Sequence, residues 1–493
     1  MLLFELDPRC PLPAYLQIRD RIIALIDEGT LRPGDRLPPS RELAKSIGVH
    51  RSTVVRALDE IHALGYLESR PGSYTTVRRR ARPPSTMEPG ARDDALIDWN
   101  TRFPQSVRGA AHREQTWRPP CPDNDIIDFE RLAADPHLAP AADLRRCLKS
   151  TLLECGAESL DYADPAGWGP LRETVSRRLR SHGVSVGSEE ILITNGAQQA
   201  LDLVFRLMTG TGDRVIVEAP TYGVLHPLLR LHGVDPVEVV MRSDGMDLDA
   251  LETILRLDPP TLIYTMPNFH NPTGVTTDQA HRERLLDLCE THRVPLIEDG
   301  FEEEMKYFGR AVLPIKSMDA KELVFYVGSF SKIVFPGLRV GWIAAPAAAI
   351  SRLAAIQHTS CLAANTLAQA AADRFSRRGD FESYLRRIHR IYRRRMQTMI
   401  EALERNLPTN VEWTRPSGGY TLWLKLPRPI EVENKICDRL ARSGIRVAPG
   451  GWFFAEPPTH AHLRLSIAVV DETRIEEGCR RLGSELPGAV SKS

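Results

Sequence analysis

Lys332 lies in Gly328-Ser329-Phe330-Ser331-Lys332, just after the apolar run Val324–Val327, and Pro336-Gly337-Leu338-Arg339 follows it. An amine presented at the end of a strand can attack a carbonyl carbon and form an imine. A lone lysine in such a loop would otherwise be a surface residue. Asp299 closes the apolar run Leu296–Glu298. A carboxylate at a buried strand end is costly unless a cation pairs with it, and a protonated ring nitrogen is a suitable one. Capping a helix is the competing role for Asp299. Asn271, in Asn-Pro-Thr-Gly, can donate to a phenolate oxygen or act only as a turn residue. Thr194-Asn195-Gly196-Ala197-Gln198-Gln199 joins the run Ile191–Thr194 to a helical stretch, and N–H groups at a helix start bind phosphate. Ser329 and Arg339 can add a hydroxyl and a bidentate guanidinium.

An amine for an imine, an acid for a ring nitrogen and a phosphate cradle are together what pyridoxal phosphate (PLP) requires. Each has a candidate here, in order along the chain and each at a strand end. Lys332 and Asp299 are the expected catalytic pair, with Gly196, Ala197, Gln198, Asn271, Ser329 and Arg339 around the cofactor.

These residues need a scaffold. The runs Ile191–Thr194, Val215–Glu218, Leu262–Thr265, Leu296–Glu298, Val324–Val327 and Gly341–Ala344 are apolar without alternation, as strands covered on both faces should be. Helical stretches between them predict βα repetition and a largely parallel sheet. A basic helix near Phe381–Leu403 and strands near Tyr420–Leu424 and His462–Ile467 predict a smaller α+β subdomain. Residues 125–487 are thus expected to form an α/β domain. Residues 79–124, rich in Pro and charge, read as a linker.

Residues 1–78 have a different pattern. Tyr15, Ile18, Ile22 and Leu25 recur at helical spacing, and Leu31-Arg32-Pro33-Gly34-Asp35 turns the chain. Ser40 is placed to cap a short helix carrying Leu43, Ala44 and Ile47. After Gly48 a second helix turns Val54, Leu58 and Ile61 inward. Arg51, Ser52, Thr53 and Arg56 then face outward near its start, where a recognition helix meets DNA. Gly65 to Tyr74 reads as a hairpin wing. From Arg36 to Arg56 five basic residues (Arg36, Arg41, Lys45, Arg51, Arg56) stand against Glu42 alone. A small helical dimerisation module with a solvated basic face would share this pattern.

The run Leu-x-Pro-Gly-Asp-Arg-Leu-Pro-Pro-Ser-Arg-Glu-Leu-Ala, then Gly-Val-x-Arg-Ser-Thr-Val, then Gly-Tyr-Leu, resembles the GntR family of winged helix-turn-helix repressors. The resemblance implies DNA contacts from Arg41, Arg51 and Thr53, and close approach of the wing at Gly72. His50 stands where that family usually has a capping serine, and is counted with the DNA-facing set. Tyr74 replaces a second wing glycine.

The later part of the chain resembles the fold-type I aminotransferases. This implies that Tyr222, in Glu-Ala-Pro-Thr-Tyr, stacks on the cofactor ring and that Arg464, in His-Leu-Arg-Leu-Ser, grips a substrate or effector carboxylate. It also implies that Tyr162, in Asp-Tyr-x-x-Pro-x-Gly, reaches the phosphate of a neighbouring subunit in a homodimer. In similar sequences a tyrosine two or three residues past the aspartate donates to the phenolate oxygen, whereas here Phe301 and Glu302 hold those positions. The whole architecture resembles the MocR regulators, which implies double-stranded DNA and a PLP, amino-acid or amine effector as partners. A working aminotransferase with a secondary DNA-binding domain is the alternative, and a repressor with a cofactor-free domain is a third reading.

Bulk composition narrows the field further. The 64 basic and 64 acidic residues cancel, so nucleic-acid binding has to come from a local surface. Eight scattered cysteines form no C-x-x-C pair and no His/Cys metal spacing, as expected of a reduced, metal-free cytoplasmic chain. No signal-like start and no membrane-length apolar run is expected to matter, because Ser351 and Arg352 break the longest stretch, Gly341–Ile356.

Overall fold

The computed structural model describes residues 4, 6–7, 9–69, 74–78, 97, 99–104, 107, 126–309 and 312–490. The chain divides into two compact units, Met1–Arg102 and Phe103–Ser493.

The first unit begins with α1 (Ala14–Asp27), α2 (Ser40–Ile47) and α3 (Arg51–Ala63). Ile18 and Ile22 of α1, Leu43 of α2 and Val54, Ala57 and Ile61 of α3 are fully buried together, as their helical spacing requires. Leu58 is half-buried against the same cluster. Gly48, at φ 77°, ends α2 in the left-handed conformation. Ser40 is not a cap, since α2 starts at that residue with Pro39 before it and no side-chain cap bond. Two short antiparallel strands follow, β1 (Leu67–Ser69) and β2 (Thr75–Val77), with Leu67 opposite Val77. The hairpin tip between them, including Gly72, lies outside the described residues, as does most of 79–124. Within that stretch Trp99–Arg102 forms one helical turn.

In the second unit β3 (Ile127–Asp128) pairs in parallel with β14 (Ile445–Arg446). The large sheet contains β4 (Ile191–Thr194), β5 (Arg214–Ala219), β6 (Asp235–Arg242), β7 (Gly245–Met246), β8 (Leu262–Thr265), β9 (Leu296–Asp299), β10 (Val324–Ser329) and β11 (Gly341–Ala344). Its order is β4-β11-β10-β9-β8-β5-β6-β7. Five of the expected strands run in one direction. Gly341–Ala344 departs from the expected βα repetition and runs antiparallel to both neighbours. Between β10 and β11 there is only a loop with a single 3-10 turn, Pro336–Leu338, too short for a parallel crossover. The sequence reading missed β6, whose charged and half-exposed residues lie next to the short strand at the sheet's end.

The non-alternating runs are explained by two covered faces. Val215, Val217, Leu262, Tyr264, Ile297, Phe325 and Val327 pack with Leu201 and Val204 of helix Ala197–Met208. Their strand neighbours Ile216, Ile263, Leu296 and Val324 pack on the other face with Leu251, Leu285 and Leu286. Successive side chains point to opposite faces, so strands buried on both sides must be apolar throughout.

A second sheet, in the order β12 (Glu412–Trp413), β13 (Thr421–Pro429), β16 (His460–Ser466), β15 (Ala448–Pro449), forms the smaller α+β part. The basic helix Asp380–Asn406 buries Tyr384, Ile388, Tyr392 and Met396. Among the described residues no helix is long and apolar enough to cross a membrane.

Candidate cofactor site and nucleic-acid surface

A parallel sheet collects the carboxyl ends of its strands along one edge, where open α/β sheets bind ligands. Here β4, β5, β8, β9 and β10 end beside Gly196, Tyr222, Asn271, Asp299 and Lys332, respectively. One pocket is lined by Ala197, Gln198, Tyr222, Asn271, Asp299, Ser329, Lys332 and Arg339. Gly196 adjoins it. Residues spread over more than 140 positions therefore converge. Tyr162 does not join them; it is 77% exposed beyond the turn Gly156–Leu160.

Asp299 shares a sheet face with Tyr264, whose hydroxyl donates to Asp299 Oδ2 at 2.8 Å. Burial pushes the Asp299 carboxyl up to about 6, against the opposing hydrogen bond from Tyr264. Among the described residues nothing hydrogen-bonds Oδ1, although it is buried. The Ser331 Oγ is likewise buried and unpartnered. At the other end of the pocket Gly196 adopts φ 88°, and a Cβ there would stand 3.1 Å from the Arg339 guanidinium. Arg339 also donates to the Asn195 carbonyl at 2.5 Å. A cationic cradle at the start of helix Ala197–Met208 and an open carboxylate oxygen fit the phosphate and the ring nitrogen of PLP. The group these residues fit is pyridoxal phosphate, with the Lys332 amine available to its aldehyde.

Neighbouring groups hold the walls. The Tyr222 hydroxyl donates to Gln198 Oε1 at 3.1 Å, and burial raises this phenol to about 12. Beneath the Asn271 turn, Glu218 accepts from Thr265 Oγ1 at 2.6 Å and from Met266 N at 3.0 Å. Arg464 is buried, with burial lowering it to about 10, and it donates to Asn271 Oδ1 at 3.4 Å and to the Glu130 carbonyl. The Lys332 amine donates to the Leu132 carbonyl at 2.5 Å. Burial lowers Lys332.

Sequence reasoning missed Leu201 and Met266 in the lining and Tyr264 behind Asp299, while Phe301, Ser331 and Pro336, quoted in its motifs without a lining role, also face the pocket. Period-two counting shows which residues share a face within Leu262–Thr265 or within Leu296–Asp299, but bringing Tyr264 to Asp299 takes the register between the two strands. The carbonyls of Glu130 and Leu132 leave no residue-type signal.

In the first unit, Arg41, Arg51, Ser52 and Arg56 are exposed and Thr53 is half-buried. His50, not a serine, caps α3: its side chain accepts from Ser52 N, and its Nδ1 lies 2.7 Å from Ser52 Oγ. Arg51 donates to Ser40 Oγ at 3.2 Å. Arg56 is held on the protein, its guanidinium 3.8 Å from the Tyr15 ring centre and donating to the Tyr15 hydroxyl at 3.1 Å. Arg36 lies over Tyr74 at 4.7 Å. Among the described residues no carboxylate pairs with Arg41 or Arg51, which leaves both cations open to an anion.

Residues 140–482 match the family "Aminotransferase class I and II", and residues 14–77 match "Bacterial regulatory proteins, gntR family". The chain is 32% identical over 475 residues to the uncharacterized HTH-type transcriptional regulator YdcR of Escherichia coli, covering 95% of this chain and 98% of that one. It is 30% identical over 488 residues to the probable rhizopine catabolism regulatory protein MocR of Rhizobium meliloti, covering 97% and 95%. The structure of LysN, the alpha-aminoadipate aminotransferase of Thermus thermophilus, complexed with N-(5'-phosphopyridoxyl)-L-leucine, superposes with a TM-score of 0.74 at 32% identity. That match covers 80% of this chain and 100% of LysN.

Proposed function

Because the chain belongs to the MocR-type regulators, in which a GntR-family winged helix-turn-helix precedes a class I and II aminotransferase domain, we propose that its pocket is a sensor. The protein is a PLP-dependent, DNA-binding transcription regulator, and PLP itself or an amino acid or amine is its effector. PLP bound to a lysine supplies an electrophilic carbon that exchanges with primary amines. Lys332 provides the amine, Asp299 Oδ1 the acceptor for the ring nitrogen, and Gly196 to Gln198 with Ser329 and Arg339 the phosphate site. Arg464 receives an effector carboxylate. The observation that carries this reading is the convergence of Lys332 and the half-satisfied Asp299 on one pocket, in a chain that also carries a winged helix with open cations.

The DNA-facing set is Arg41, His50, Arg51, Ser52, Thr53 and Gly72, with Arg56 acting through its Tyr15 platform. The working form is a homodimer. Exposed and outside its own pocket, Tyr162 is available to the phosphate of a second copy. Effector control requires that the effector bind two arrangements of the dimer with different affinity.

A second reading, a turning-over aminotransferase, is favoured by the likeness to LysN and by the complete lysine-aspartate pair. Against it, Phe301 and Glu302 replace the expected hydroxyl donor. Visible absorption of the purified protein and of Lys332→Ala, during titration with amino acids and amines, tests both. A band that requires Lys332 and shifts without amine consumption is the expected result. Many cycles of amine transfer to a keto acid would make the chain an enzyme, and a band unchanged in Lys332→Ala would remove Lys332 from the site.

A further inference from the structure

Three residues past Asp299, Glu302 is fully buried in the second unit. Its Oε2 accepts from the Tyr420 backbone N–H at 3.2 Å, and the Tyr420 hydroxyl donates to the Lys332 carbonyl at 2.8 Å. A Cβ at Gly419, where φ is 69°, would fall 2.7 Å from Glu302 Oε2, so the glycine lets the backbone close over this carboxylate. Among the described residues no donor reaches Oε1. Neither the imine chemistry nor the phosphate cradle uses Glu302.

A buried carboxylate with one unpartnered oxygen is expensive unless a cation shares its surroundings. The charged and titratable groups acting on it are Lys332, Arg464 and Asp299, with the phenols of Tyr307 and Tyr420 beside it. On Lys332 the acting groups are Glu302, Arg464, Arg339 and Asp299. Burial, with two arginines, pushes a proton off the lysine nitrogen, and burial pushes the Glu302 carboxyl up to about 8, each group opposing the other's shift. Asp299 is committed to Tyr264 and, by the reading above, to the ring nitrogen. Glu302 is then the carboxylate left to balance Lys332.

We propose that Glu302 is a positioning residue that keeps the Lys332 nitrogen protonated, carrying the balancing negative charge whenever that nitrogen is cationic, both as the free amine and once PLP is linked through it. Attack by an incoming amine needs the linked nitrogen cationic, because only then is its carbon strongly electrophilic. With phenylalanine at position 301, Glu302 tunes this nitrogen by charge rather than by a donated hydrogen bond. The proposal rests on Lys332 being the cofactor lysine.

The test is the pH titration of the visible band of the full chain loaded with PLP, compared with Glu302→Gln. Wild type should hold the long-wavelength, protonated band into the alkaline range, and Glu302→Gln should move the midpoint down by about one unit or more, the usual effect of removing an opposite charge nearby. Glu302→Asp should recover part of the shift, which a merely structural role would not do. An unchanged midpoint in folded Glu302→Gln would overturn the proposal. If Glu302→Gln does not fold, Glu302→Met removes the charge in its place, and an unchanged midpoint there would do so. Acetylation of Lys332 in the PLP-free chain, followed by mass spectrometry, separates this proposal from the cofactor reading. Losing the charge should raise the neutral-pH rate severalfold, up to about tenfold per unit of lowered pKa. If wild type forms no band but the rates differ this way, the cofactor reading fails and the Glu302–Lys332 pairing stands; equal rates overturn the pairing.

Discussion

The Lys332 amine donates to the Leu132 carbonyl at 2.5 Å, and two residues earlier the Glu130 carbonyl receives Arg464. One short segment thus occupies the proposed cofactor lysine and the proposed carboxylate-binding arginine together. Either ligand must compete with a backbone carbonyl for its side chain.

Lys332→Ala removes one of these two ties. Amide hydrogen exchange of the peptide spanning residues 129–134 should speed up in this variant, because net loss of a hydrogen bond from a cation is worth about 1.5–3 kcal/mol. Unaltered exchange would mean that Leu132 is held by the rest of its packing.

Asp299→Asn tests stability against function. The carboxyl is raised by burial to about 6 from an ordinary 3.8, so the folded PLP-free chain binds a proton more tightly than the unfolded one. Its stability should therefore fall as pH rises from about 4 to about 6, with a total of roughly 3 kcal/mol for two pKa units. Asparagine removes that dependence while still able to accept from Tyr264. Urea melts of the PLP-free protein should show Asp299→Asn more stable at neutral pH, and PLP titration should show weaker binding.

Arg51→Ala should weaken DNA binding by about 1–3 kcal/mol if it reads a base, or lower the salt slope by about one if it neutralises a phosphate. The colour of the bound cofactor should not change. Arg56→Ala should in addition lower the melting temperature, since its guanidinium stacks on Tyr15.

His50→Ala should destabilise α3 by about 1 kcal/mol through loss of its cap, and His50→Ser should restore it. Chemical denaturation of the chain, followed by far-ultraviolet dichroism, reads the difference. Equal midpoints for all three proteins would show that the 2.7 Å approach to Ser52 contributes nothing to stability.

The sequence alone determined most strands of the large sheet and the order of the site. Residue type and local spacing are sufficient to mark strands buried on both faces, such as Leu262–Thr265. They also mark a lysine in a Ser/Gly loop and a glycine in a strand-to-helix turn. They could not assign the direction of Gly341–Ala344, because direction depends on the connection and not on the strand's own residues. Nor could they show that Arg56 lies on Tyr15, that Tyr264 stands behind Asp299, or that backbone carbonyls hold Lys332 and Arg464. Those contacts join residues far apart in the chain, 200 positions for Lys332 and Leu132, and carbonyls are the same in every residue. The tertiary structure decided the charge balance around Lys332: in sequence Glu302 only stands where a hydroxyl donor is expected, and the closing of Gly419 and Tyr420 over it makes it a buried carboxyl.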